Sequence, residues 1–357
     1  MLLFLLLPIA GQVYVSWRVW AMLPSPLWMK VIVVSIMAIS FLCLILNFIL
    51  PAERMPLWLS QVIYETGTSW IIILLYLTML FAAIDLLQLL HIIPRSFNHN
   101  SPIGTITVTA ILLVTFVFGN IHYHKKVKVP LELAAHGKVS KPVKIVMMSD
   151  LHLGYHNRRS EFARWVDLIN QEEPDLILIA GDIIDINVNP LIRENVADEW
   201  KRLKAPVYAC IGNHEYYAHE QLAQKFIANA GIHLLQDSAV NIGDLCIVGR
   251  DDLTNRRRLP LEHLMTDVDH NKYVILLDHQ PFKLEQAEKA HVDFQFSGHT
   301  HNGQIWPINL IARKMYENSW GLSTRGNTVY YVTSGMGIWG GKFRIGTQSE
   351  YVVAIIK

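Results

Sequence analysis

"FQFSGHTHNGQIWP" occupies residues 294–307. An apolar run of alternating aromatics stops at Gly298, and His299 and His301 then flank a single threonine. A strand that ends in a tight turn can aim two such imidazoles into one cleft, where they would hold metal. Chance histidine pairs also occur in a chain with 16 of them, so the neighbouring strands have to decide.

They repeat the pattern. Short β-rich runs at 143–149, 175–180, 206–211, 245–249, 273–278, 292–298, 329–335 and 351–356 alternate with helix-patterned stretches at 161–171 and 219–230. Such alternation predicts an α/β layered domain. Just after the strands stand Asp150 and His152, Asp182, Asn213 and His214, His279, and finally His299 and His301. Loops beyond the carboxyl ends of strands in an α/β sheet are where sites assemble. Carboxylate, amide and imidazole donors without thiolate suit hard or borderline divalent ions such as Mn, Fe, Zn or Mg. Even with His214 set aside, the seven others exceed one tetrahedral centre and suit two ions sharing a bridging carboxylate. Gly181, Gly212 and Gly298 precede ligands and are expected to supply the turns.

The first third of the chain belongs to a different solvent. Residues 1–123 carry seven charged side chains, Arg18, Lys30, Glu53, Arg54, Glu65, Asp85 and Arg95, out of 61 in the whole chain. Apolar runs of about 20 residues span a bilayer core, and four segments qualify as expectations: about 2–17, 31–50, 70–93 and 103–119. Trp17, Trp20, Trp28, Trp58 and Trp70 lie near their ends, where an aromatic belt sits. The loop arginines and lysines divide four to three in favour of a cytoplasmic carboxyl-terminal domain. Asp85, inside a spanning run, is either a functional group or a pairing partner within the bundle. The expected division is a membrane region at 1–123 and a catalytic domain at 124–357, with "VKVPLEL" (127–133) as an edge strand because Pro130 lacks an N–H.

Residues 124–357 hold 27 basic and 27 acidic side chains, a balance that gives no electrostatic footprint for nucleic acid. Cys43, Cys210 and Cys246 form neither a disulfide framework nor a thiolate zinc site.

Asp150-Leu-His152, Gly181-Asp182, Gly212-Asn213-His214-Glu215, His279 and Gly298-His299-Thr300-His301 resemble the signature of the calcineurin-like metallophosphoesterases, across about residues 124–357. "SDLHLG", "GHTHNGQ" and the tail "SGMGIWGGKFRIGTQSEYVVAII" are similar to a membrane-associated bacterial branch that usually has Gly where Asn302 stands. The resemblance implies a four-layer α/β/β/α sandwich and two divalent ions. The first would take Asp150, His152, Asp182 and His301; the second would take Asp182, Asn213, His279 and His299. It further implies that His214 stabilises the transition state or protonates the leaving oxygen. Arg158, Arg159 and Arg344 are candidates for a substrate phosphate, Asp185 for a helix cap or for orienting a ligand, and Asp252 for orienting a neighbour.

The expected function is hydrolysis of a phosphodiester or pyrophosphate in a lipid-linked substrate such as UDP-2,3-diacylglucosamine, at a bacterial inner or plasma membrane. The partners are the bilayer and that substrate. Two alternatives compete: a phosphodiesterase or phosphatase for soluble nucleotides or phosphoproteins, and a retired membrane sensor or transporter.

Overall fold

The computed structural model describes residues 2–50 and 54–357, with Leu2–Leu5 described by backbone alone. Residue 1 and residues 51–53, part of the expected membrane region, lie outside that description. The chain divides into two compact units, Met1–Asn120 with Gly340–Lys342, and Ile121–Trp339 with Phe343–Lys357.

The first unit contains helices α1 (Leu2–Met22), α2 (Leu27–Ile49), α3 (Leu57–Leu89) and most of α4 (Pro102–His124). Among the described residues, α2, α3 and α4 are long and apolar enough to cross a membrane, while α1, the expected first span, is not in that set. All four helices contribute to one apolar cluster that includes Val15, Met37, Leu77, Phe81 and Val108. Helix α3 starts well before the expected residue 70 and rises about 50 Å by helical geometry. Its early turns bury the polar Ser60, Gln61 and Thr68, which no apolar-run reading would place in a span. Asp85 finds its partners inside this bundle. It pairs with Arg18 of α1 and accepts from Tyr14 Oη at 2.6 Å and Asn98 Nδ2 at 3.3 Å. The pairing reading of Asp85 thus accounts for its position in an apolar helix, since an unpaired carboxylate there is costly.

The second unit is a two-sheet sandwich. One sheet runs β1 (Lys126–Leu133), β12 (Ser349–Ile356), β2 (Val143–Met148), β3 (Leu176–Ala180), β4 (Val207–Cys210) and β5 (His233–Leu234). The other runs β10 (Gly321–Arg325), β11 (Thr328–Val332), β9 (Phe294–Ser297), β8 (Tyr273–Leu277), β7 (Leu245–Gly249) and β6 (Ser238–Ile242). As Pro130 required, β1 is an edge strand, parallel to β12. The short β5 and the edge strands β6 and β10 were not legible, because their side chains alternate between half-buried and exposed or number too few to show a pattern.

Strand residues alternate faces, and the alternation builds four layers. Ile145 and Met147 of β2 face the inter-sheet core with Ile275, Leu277, Phe294 and Phe296. Val146 and Met148 face a helical layer built around Phe162, Trp165 and Ile169 of the helix Arg159–Gln171. On the far side, Val248, Val274 and Leu276 pack on Leu261 and Leu284. Strands β2, β3 and β4 run parallel within their sheet, as do β7, β8, β9 and β11 within theirs. Parallel strands deliver their carboxyl ends to one edge, and the chemistry-bearing loops follow those ends.

Candidate metal centre

Asp150 and His152 leave β2, Asp182 leaves β3, Asn213 leaves β4, His279 leaves β8, and His299 and His301 leave β9. The backbone aims these side chains by an unusual device. Asp150, His152, Asp182, His299 and His301 all have left-handed backbone, with φ of +56°, +43°, +52°, +68° and +49°. Each costs a non-glycine residue about 1–2 kcal/mol, and such strain clusters where function over-determines geometry. The expectation that glycines make the turns is therefore corrected. Gly181 is left-handed at φ +78°, but Gly212 sits at φ −113° and serves by absence of bulk. A Cβ there would stand 2.2 Å from Asp182 Oδ1, and one at Gly298 would stand 2.3 Å from Asp150 Oδ2. Asn302 is left-handed too, at φ +48°; asparagine is the side chain that best replaces glycine in that conformation.

The seven side chains converge as two groups. In the first, His152 Nε2 lies 3.0 Å from His301 Nε2. Asp150 Oδ1 lies 3.8 Å from His152 Nε2 and 3.4 Å from His301 Nε2, and Asp182 Oδ2 lies 3.7 Å from His152 Nε2. In the second, the same Asp182 Oδ2 is 3.1 Å from His279 Nε2, and Asn213 Oδ1 is 3.2 Å from His279 Nε2 and 2.8 Å from His299 Nδ1. Asp182 stands between the groups, where a bridging ligand belongs.

The donor set fits divalent cations. His279 Nδ1 donates to the Ala180 carbonyl at 2.7 Å, so the ring, once it gives up its second proton, presents its Nε2 lone pair to Asp182 and Asn213. Three buried acceptors then face one point, an arrangement that needs a cation or a proton. Electrostatics point the same way. Burial pushes the His279 imidazole down, yet the charge of Asp182 overrides it and holds the ring well above its usual range. Burial likewise raises Asp182, but His279 and His214 bring it well below the usual carboxylate range. Asp150, raised by burial and by the charge of Asp182, moves the opposite way. Burial and the charge of His279 push His299 down to about 4, and burial with His152 pushes His301 well below its usual value. Both are neutral imidazoles, the form that ligates metal.

Around these residues stand groups whose roles the motif pattern left open. Buried Asp185 places Oδ1 3.4 Å from His152 Nδ1 and 3.3 Å from His214 Nδ1. It is no helix cap: it orients one candidate ligand and the His214 ring together, as carboxylates do behind metal-ligating histidines. His214 Nδ1 donates to the Asp185 carbonyl at 3.1 Å, and its main-chain N–H donates to Asp182 Oδ1 at 2.9 Å. Burial lowers His214, but Asp182 and Asp185 lift it to about 9. Glu215, given no role by the sequence, accepts from the main-chain N–H groups of Asp182, Ile184 and Gly212 at 3.1, 2.9 and 2.8 Å. It ties the β3 exit to the β4 exit. Asp252 accepts from Gln280 beside His279, at 2.9 and 3.0 Å, and so orients a neighbour as expected.

The three arginines do not join the constellation. Arg344 is 0% exposed and donates to the carbonyls of His301 (2.8 Å), Gly337 (2.9 Å) and Ser334. It braces the His301 turn against the loop after β11 and has no surface to offer a phosphate. Arg159 is engaged by Glu199 and Glu194, and Arg158 Nε donates to the Tyr155 carbonyl at 3.2 Å. Charge in a loop motif gives no hint of such main-chain partners, so the sequence offers all three as candidates for a substrate phosphate.

Residues 143–303 match the calcineurin-like phosphoesterase family. A metallophosphoesterase of Aquifex aeolicus is 32% identical over 225 residues, covering 60% of this chain and 85% of that protein. A Helicobacter pylori metallophosphoesterase is 31% identical over 221 residues, and the match covers 59% of that protein's own length. A Danio rerio protein named as a transmembrane protein with metallophosphoesterase domain is 28% identical over 363 residues, covering 94% of this chain and 81% of its own. The chain belongs to the calcineurin-like metallophosphoesterases, metal-dependent hydrolases of phosphoric esters and anhydrides.

Proposed function

We propose that the protein is a membrane-held phosphoesterase that cleaves a phosphodiester or pyrophosphate in a lipid-linked substrate, with Asp150, His152, Asp182 and His301 holding one divalent ion and Asp182, Asn213, His279 and His299 the other. The observation that carries this reading is Asp182 Oδ2, which faces His152 on one side and His279 on the other. Ions held there supply Lewis acidity toward phosphoryl oxygens and lower the pKa of water. The chain's own residues do the rest. Asp185 fixes the His152 ring. His214, lifted by Asp182 and Asp185, is a protonated group at the cleft able to pass a proton to the departing oxygen as the oxygen of a hydroxide, formed when water gives its proton to solvent, bonds to phosphorus and the ester bond breaks.

Lipid attachment of the substrate is supported by the three bilayer-capable helices in the same chain, since holding the site near a bilayer raises the local concentration of lipid-borne phosphates. The Danio rerio relative, whose match extends into that region, supports membrane residence as well. A cytoplasmic face in a bacterial inner membrane is the orientation in which UDP-2,3-diacylglucosamine would be met. The retired-sensor reading has little support, because no side chain of the expected ligand set is missing.

The test is mass spectrometry of products from UDP-2,3-diacylglucosamine incubated with full-length protein and Mn²⁺, beside Asp182→Asn. UMP and lipid phosphate from the wild type alone support both chemistry and substrate. Cleavage of bis-p-nitrophenyl phosphate without cleavage of the lipid sinks the substrate and keeps the chemistry.

A further inference from the structure

The family match stops at Gly303, and the segment that follows has an unusual surface. The helix Ile308–Met315 buries only Asn309 and Ala312. It leaves Leu310, Ile311 and Met315 exposed at 52, 53 and 65%, and Trp306 just before it at 46%. Ile308, Ile311 and Met315 are spaced i, i+3, i+7 and so form one line on the helix. Isolated exposed apolar residues need no explanation, but a contiguous set of large ones marks a contact surface.

Three observations indicate what covers it. Arg313 and Lys314 are exposed on the same helix, and no carboxylate occurs between Asp293 and Glu317. Apolar side chains with a tryptophan at one end and flanking basic residues are the composition of helices that lie in a membrane interface, where lysine and arginine reach anionic headgroups. The same chain carries three helices able to cross a bilayer, so the docking is intramolecular in effect and a short helix suffices. Finally, both ends of the segment lie near the candidate metal centre. His301 lies five residues before Trp306, and Tyr316, which ends the helix, places its ring 6.3 Å from that of His299 and 4.9 Å from that of Phe282.

We infer that residues 306–315 form an interfacial element that seats in the headgroup–acyl boundary of an anionic phospholipid bilayer and presents lipid-borne phosphoesters to the histidines at its two ends. The inference deepens the proposed function and rests on it for the substrate, though not for the docking.

The test uses full-length protein in nanodiscs of phosphatidylcholine and phosphatidylglycerol with brominated acyl chains. An environment-sensitive fluorophore is attached at Ile311→Cys, or at Asp269→Cys on an exposed turn as control, in a Cys43→Ser background; Cys210 and Cys246 are buried. Emission should be lost at position 311 and kept at position 269. Ile311→Asp should lower kcat/KM on a disc-borne phospholipid diester about tenfold while bis-p-nitrophenyl phosphate is cleaved as before. An unquenched label at 311 overturns the docking, whatever is hydrolysed. Quenching without hydrolysis of any lipid by the wild type upholds the docking and overturns the lipid-substrate reading. Emission that follows the protein-to-disc ratio rather than bromine assigns the face to a second copy of the chain and overturns the docking as well.

Discussion

The Nε2 atoms of His152 and His301 face each other across 3.0 Å, although 149 residues separate the two side chains in the chain. Each is buried, each extends from a left-handed turn, and the carboxylate of Asp150 approaches both. Nothing but a shared cation or proton makes that approach favourable.

Asp182→Asn tests the bridge. Removing the negative charge of the one group that faces both clusters should empty at least one ion position and reduce turnover by more than about a hundredfold. Elemental analysis after gel filtration, with bis-p-nitrophenyl phosphate as substrate, reads both. A variant that keeps two ions refutes the bridging role.

Metal binding should release protons. In the metal-free protein His279 is held cationic by Asp182, and ligation requires its neutral form, so uptake of the ions liberates about one proton from this site. Titration calorimetry in buffers of different ionisation enthalpy measures it, and loading should weaken as the pH falls. Heats that are independent of buffer would contradict the assignment of His279.

His214 makes a signed prediction about stability. Its pKa in the folded metal-free protein, about 9, lies above the unfolded value of about 6.5. The stabilisation is therefore complete below about pH 6.5 and is lost as pH rises through about 9. In chelator, melting temperature should decline over that window, and His214→Ala should flatten the decline. With ions restored, the same variant should keep its metal and lose about 10²–10⁴ in turnover.

Asp185→Asn should lower turnover about 10–100-fold with most of the metal retained, because Asp185 acts by orienting His152 and His214. Metal affinity measured by competition with a fluorescent chelator should weaken within the same range. An unchanged kcat would reduce Asp185 to a packing group.

Arg344→Ala separates a structural arginine from a substrate ligand. Removing the buried guanidinium strands several main-chain carbonyls and should cost about 3 kcal/mol or more, read as a lower midpoint in urea. A stable variant with a raised KM would restore the substrate-binding reading.

The strand runs could be read because parallel strands buried on both faces are continuous apolar stretches, as in "DLILIA" and "YVILLD". Strands β6 and β10 escaped because edge strands with one solvated face carry no such run. The candidate ligands stand out in the sequence because each follows a strand end, and the family resemblance divides them between two ions. Asp185 and Glu215 lie within the same motifs, but their spacing says nothing about what their carboxylates accept. Arg344 shows the same limit, since a guanidinium buried on carbonyls and one awaiting a phosphate have the same letters around them.

By itself the sequence determined that the first third is strongly apolar, that the rest is of layered α/β class, and that Asp, Asn and His side chains gather just after strand runs. These rest on local composition and periodicity, which need no knowledge of distant contacts. Only the tertiary structure decided that Asp182 stands between two clusters, that Asp185 backs two histidines at once, that Arg344 is sealed in the core and that Ile308–Met315 is left uncovered. Each of those depends on which strand ends the two sheets bring to a common edge, and that is set by packing between residues far apart in the chain.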